Sequence, residues 1–128
     1  KSMSLEAYAS SDLVERNYVT RLLTGKVSGE LHEHDLDVAK EILRLKAVVG
    51  IYEDLQASME HFDKYFAWSP ETQDSIDCEA SVIASGLVKD TLPPLDTGNP
   101  AYSYLVDANE YDIKLYDYAK NFLVPYQR

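Results

Sequence analysis

Apolar side chains in this chain recur mostly every three or four residues, the spacing that gives one face of an α-helix. Between positions 12 and 23, Leu13, Val14, Val19, Leu22 and Leu23 form an irregular stripe that stops before Gly25. Gly25 to Gly29 reads as a loop, with its first glycine as a helix stop. From 35 to 46, Leu36, Ala39, Ile42 and Leu43 fall on one side and Asp37, Lys40, Glu41 and Arg44 on the other. The acids come early and the bases late, as the helix dipole favours. A third helix is expected over 52–66, with Leu55, Met59, Phe62 and Phe66 as its core stripe. It ends at Trp68-Ser69-Pro70, because the residue before a proline avoids helix.

The clearest element is expected over 100–124. Asn99 is a good N-cap and Pro100 sits at the first helical position, where its missing N–H costs nothing. Leu105, Ala108, Asp112, Leu115, Ala119 and Phe122 follow at spacings of three or four, up to Pro125. Asn109 and Asp112 lie on or beside that stripe. Polar groups there are expected to bond to the backbone of another segment. Ser4 to Ala9 reads as a short helical turn, and 86–98 as a long irregular loop of the kind that carries function.

One stretch breaks the helical spacing. Ala47-Val48-Val49-Gly50-Ile51 is a continuous apolar run, β-branched at three positions and bounded by charge. It reads as a buried strand over 47–51. A buried strand needs neighbours for its N–H and C=O groups, and only Val82-Ile83 offers a second short strand, unless that pair is itself a helical turn. Either the pentad is helical, within a self-contained bundle, or most of its sheet lies outside this sequence. The fold class expected is therefore mostly α with one or two short strands, in a single or partial domain.

With 128 residues the chain can bury one core. Twelve Lys and Arg against 22 Asp and Glu give a net charge of −10. That balance excludes a nucleic-acid binder, which needs clustered bases. No run approaches a membrane span, and no apolar leader with a cleavage site is visible. With Lys1 in first place, the expectation is a chain processed, trimmed or excised from something longer. Cys78 has no partner for an intrachain disulfide and reads as a half-buried structural thiol. Gly25-Lys26 fails as a phosphate loop, because Thr20 stands where a glycine is required and Val27 where Ser or Thr is. His32 and His34, two apart at a helix entry, do not share a face and predict no metal; His61 is placed on the polar side of its helix. No catalytic constellation emerges.

Three segments, in order, resemble the C-terminal part of carbohydrate sulfotransferases that use 3′-phosphoadenosine 5′-phosphosulfate (PAPS), of the heparan sulfate 6-O-sulfotransferase type and its algal relatives. Arg16 to Gly25 is similar to the family's Asn-x-x-x-Arg-x-Leu stretch, with Asn17, Arg21 and Leu23 in place. Ala39-Lys40-x-x-Leu43, then Val49-Gly50-Ile51-Tyr52-Glu53 and Ser58, resembles the family's AK-x-x-L, F-x-G-L-T-E and following Ser or Thr. Asn109 to Lys120 is close to the closing helix N-x-x-D-x-x-LY-x-YAK.

The resemblance implies the C-terminal portion of an α/β P-loop-like fold whose other strands come earlier. It implies sulfuryl transfer from PAPS to a sugar hydroxyl in a full-length enzyme, and a Golgi lumen setting. It implies cofactor contacts from Lys89, Thr91 and Arg21. No segment matches the Gly-rich phosphosulfate loop, the general base or the Arg–Ser pair for the 3′-phosphate, so no cofactor is expected on this chain alone. Asp90 stands beside Lys89 where the family carries neutral or basic residues. The partner expected is the missing N-terminal half, or another protein chain, completing the sheet. The alternative is a non-enzymatic scaffold or accessory subunit built from a remnant of the fold.

Overall fold

A computed structural model describes residues 3–69, 72–85 and 94–127. It is mostly helical. In chain order the helices are α1 (Leu5–Ala9), α2 (Tyr18–Thr24), α3 (Glu33–Lys46), α4 (Leu55–Phe66), α5 (Gln73–Ser85), α6 (Pro100–Ala108), α7 (Glu110–Tyr118) and α8 (Val124–Gln127). A 3₁₀ turn, Tyr52–Asp54, leads into α4, and a π turn, Ala119–Leu123, joins α7 to α8. No strand occurs among the described residues. Val82 and Ile83, expected as a second strand or a helical turn, are helical within α5.

The core lies where α2, α3 and α7 meet. Leu36 and Ala39 of α3 pack on Leu115 of α7, flanked by Leu23, Leu43 and Tyr111. Ala9 of α1 and Ala101 of α6 are both buried. Alanine at each lets α1 and α6 come close.

Helix α2 begins at Tyr18, not near residue 12, because Asn17 adopts the left-handed conformation (φ 50°, ψ 49°) and breaks the helix there. Asparagine tolerates that region better than most residues, and here the conformation is held in place. The Asn17 side-chain oxygen accepts from the N–H groups of Tyr111 (2.8 Å) and Asp112 (3.2 Å) at the start of α7. In return, Asn17 N–H donates to Asn109 Oδ1 at 3.2 Å. The Asp112 carboxylate accepts from Val19 N–H (2.9 Å), Thr20 N–H (2.8 Å) and the Thr20 hydroxyl (2.7 Å). The first N–H groups of a helix have no partner inside it. Here each of the two helices caps the other. The expectation that Asn109 and Asp112 serve another segment's backbone is met.

Loop 25–32 is tied by side chains. Arg21 donates from Nε to Arg16 O (3.0 Å), from Nη1 to Lys26 O (3.1 Å) and from Nη2 to Gly29 O (2.9 Å). Gly25 (φ 70°) and Gly29 (φ 82°) take the left-handed positions the turn requires. Asp35 accepts from Lys26 Nζ and from His32 N–H, each at 2.8 Å. His32 thus serves the entry of α3.

The closing helix departs from a single run over 100–124. It breaks at Asn109, where α6 gives way to α7, and widens to π over Ala119–Leu123, with Val124 N–H reaching Ala119 O. Pro125 accounts for the widening. Its ring clashes with the carbonyl four residues back in a regular helix, and a π turn just upstream relieves that contact. The extra residue rotates the face, so Leu123 and Val124 are buried and Phe122 is 69% exposed. The chain then continues as α8 instead of stopping.

Asp112→Ala is expected to lower stability by about 2 kcal/mol, because it strands two first-turn N–H groups of α2. Asp112→Asn, which keeps one acceptor oxygen, is expected to cost less; urea unfolding followed by helical circular dichroism measures both. Asp35 gives a pH signature. Lys26 foremost, then His32 N–H, hold its carboxyl below its ordinary 3.8. A depressed folded value means stabilisation that is present above 3.8 and lost as pH falls through the folded value. The melting-temperature gap between the native chain and Asp35→Asn should therefore be widest near neutral pH and close in strong acid.

Candidate functional site

The segment Ala47–Ile51 is extended, as its β-branched composition favours, but it is neither a paired strand nor a helix. No other strand is available to it among the described residues, so side chains satisfy its backbone instead. Gln127 of α8 bonds both ways, with Nε2 donating to Ala47 O (3.0 Å) and Oε1 accepting from Val49 N–H (3.2 Å). A primary amide carries the same donor and acceptor as a peptide group, and Gln127 stands in for one peptide of a neighbouring strand. Further along, the Ser58 hydroxyl accepts from Ile51 N–H (2.8 Å). Its own proton is shared between Ile51 O (2.9 Å) and Asp54 O (2.8 Å).

These bonds serve Ala47, Val49 and Ile51, which in an extended chain point their backbone groups to one side. The groups of Val48 and Gly50 point to the other. They have no hydrogen-bond partner among the described residues. The segment thus presents one occupied edge and one open edge.

Its face is fitted to α4. A Cβ built on Gly50 meets Phe62 Cζ at 2.7 Å and Ser58 Cβ at 2.9 Å, closer than side chains pack. Glycine at 50 therefore lets α4 lie against the backbone. This corrects the stripe expected for α4. Ser58 and His61 are its buried residues, Leu55, Met59 and Phe62 are only partly covered, and Phe66 is 47% exposed. His61, expected on the polar side, is 7% exposed. Cys78, expected half-buried, is exposed on α5, a helix with no buried residue. Glu53, just after the extended segment, is held below the usual carboxylate range by its own N–H first and then by the Tyr116 hydroxyl.

Of the three residues implied as cofactor contacts, Lys89 and Thr91 lie outside the described residues, as does most of loop 86–98. Arg21 is on α2, and all three of its guanidinium nitrogens donate to main-chain carbonyls, one just before α2 and two in the loop that follows. The geometry makes it a loop staple. No group of three or more His, Cys, Asp or Glu is placed to share a metal ion among the described residues. No helix there is long and apolar enough to cross a membrane.

The role of Gln127 has no signature in the sequence, because a glutamine after a helix-stopping proline carries no signal. The role of Ser58 is visible there only as part of the family pattern. Comparisons with family models, curated proteins and solved structures return no match.

Gly50→Ala is expected to destabilise by about 1–3 kcal/mol through overpacking. Phe62→Leu, which withdraws the ring edge, should recover part of that loss in the double variant. A coupling of zero in the double-mutant cycle counts against the close approach.

Proposed function

We propose that this chain is the C-terminal segment of a PAPS-dependent carbohydrate sulfotransferase, and that Ala47–Ile51 is an outlying strand of a sheet supplied by the nucleotide-binding half. The observation that carries the reading is spatial. The residues on which the resemblance rests, far apart in sequence, are the residues that join the segments. Asn17 meets Asn109 and Asp112, Arg21 closes its loop, and Gly50 and Ser58 seat α4 on the extended segment. A shared pattern of this kind is what a common architecture requires.

The open edge at Val48 and Gly50 supports the same reading, since a strand from the missing half supplies the bonds that no side chain here provides. In the assembled enzyme the phosphosulfate loop and general base belong to the other half. Cofactor contact from this chain falls to Lys89 and Thr91, because each Arg21 guanidinium nitrogen already donates to a main-chain carbonyl of its own loop region. An accessory subunit with no transferase activity is the second reading, favoured by the net charge of −10 and by Asp90 beside Lys89.

Two measurements separate these readings. The reading frame upstream of Lys1 is expected to encode a strand followed by a Gly-rich loop, and the full-length product to bind the desulfated cofactor, PAP, in calorimetry. These 128 residues alone should give no PAP heat. Upstream sequence holding only a targeting peptide rules out the transferase reading, and micromolar PAP binding by the isolated chain rules out the division of labour proposed here.

A further inference from the structure

The extended segment has one sealed edge and one open edge. Gln127 and Ser58 bond the groups of Ala47, Val49 and Ile51 on the sealed side. On the other side the N–H and C=O of Val48 and Gly50 have no hydrogen-bond partner among the described residues, and both residues keep part of their surface exposed. Unpaired strand edges are where other extended chains add.

The open groups are self-complementary. In an antiparallel pair, two residues directly opposite exchange both of their N–H···O=C bonds, and the next such pair lies two residues on. A two-fold axis through Val49 sets Val48 of each copy opposite Gly50 of the other. Four hydrogen bonds then form, and every open group of both copies is used. Level with Gly50 on the α4 side, the second copy offers only Val48, a short side chain. The charges agree with this direction. Lys46 at the entry of the segment runs towards Glu53 and Asp54 at the exit of the other copy, and all three are exposed. A parallel pair staggers its bonds and brings Lys46 against Lys46.

We infer that Ala47–Ile51 pairs antiparallel with the same segment of a second copy of this chain. The assembly closes at two. A two-fold contact uses the same surface on both copies, and the remaining edge of each is already sealed by Gln127 and Ser58, so no third strand adds. Phe62 and Ser58 stand over Gly50. Val49 therefore turns to the face away from α4, and on the axis the two Val49 side chains lie side by side. An interface of this size gives a weak dimer that depends on concentration. The inference rests on the open edge and not on the sulfotransferase reading. Where the nucleotide-binding half is attached, its strand takes the same edge and excludes the second copy.

Sedimentation equilibrium of the 128-residue chain should show monomer passing to dimer, with no larger species, in the upper micromolar range. Val48→Pro removes a donor that has no bond inside the chain. Ala47 before it already has the extended backbone that a following proline requires (φ −128°, ψ 144°), so circular dichroism should be unchanged. The substitution deletes two of the four bonds between copies and should weaken the dimer about tenfold or more. Cross-linking reads the register in a Cys78→Ser background. Val49→Cys should oxidise to a disulfide-linked dimer, because residues opposite each other at such a position lie about 4.5 Å apart between Cα atoms. Val27→Cys, at a site 89% exposed in the loop after α2, serves as the control for random collision. The assignment is overturned if the chain stays monomeric, if folded Val48→Pro dimerises as the native chain does, or if Val49→Cys cross-links no faster than Val27→Cys. None of these outcomes touches the PAP measurement, so the two readings fail separately.

Discussion

The fold depends on one exchange of hydrogen bonds between two helix starts. Asn17 caps α7 and Asp112 caps α2, so neither helix can begin correctly without the other in place. Capping by a residue's own helix is local and survives in a peptide. Capping across 92 or more residues is tertiary, and it couples the two ends of the chain into one cooperative event. It also fixes the left-handed backbone at Asn17, whose N–H is bonded to Asn109. The core of Leu36, Ala39 and Leu115 is small, and such a core leaves much of the specification of this fold to polar bonds with defined geometry.

Helical content was legible in the sequence because it follows from periodicity, and α3 and α6 begin close to where the spacing puts them. The need for a distant partner at Asn109 and Asp112 was also legible, since a polar side chain on an apolar stripe must be hydrogen-bonded once it is covered. What the spacing misplaced has a physical cause in each case. The start of α2 is set by Asn17, whose conformation is imposed from 92 residues away. The face presented after residue 119 depends on a π turn, and no periodicity of 3.6 encodes an inserted residue. Val82 and Ile83 are β-branched, but two such residues do not outweigh a helical context on both sides.

The extended segment shows how sequence preference and tertiary supply can disagree. Val48, Val49 and Ile51 favour extended backbone, and the chain obeys them, yet no described segment is extended beside it. The structure meets half of the demand with side chains, Gln127 and Ser58, placed by α8 and α4. The placement of Gln127 follows from Pro125. Without the π turn that the proline imposes, α7 would run on in register and the glutamine would point elsewhere. One edge is thus finished internally, while the other is left bare.

A bare edge at only two residues is too short to act as a general aggregation template, and Lys46 at its entry adds a charge that discourages unintended pairing. It is long enough to specify a register. A slip by one residue turns every side chain of a pairing strand to the opposite face. On the α4 side of Gly50, Phe62 and Ser58 already stand too close to the backbone to admit even a methyl group. A large side chain turned to that side, level with Gly50, would therefore meet α4. The tight seat of α4 and the open edge are one device. In the assembly proposed above, the glycine that lets the helix approach would also set where the neighbouring strand aligns.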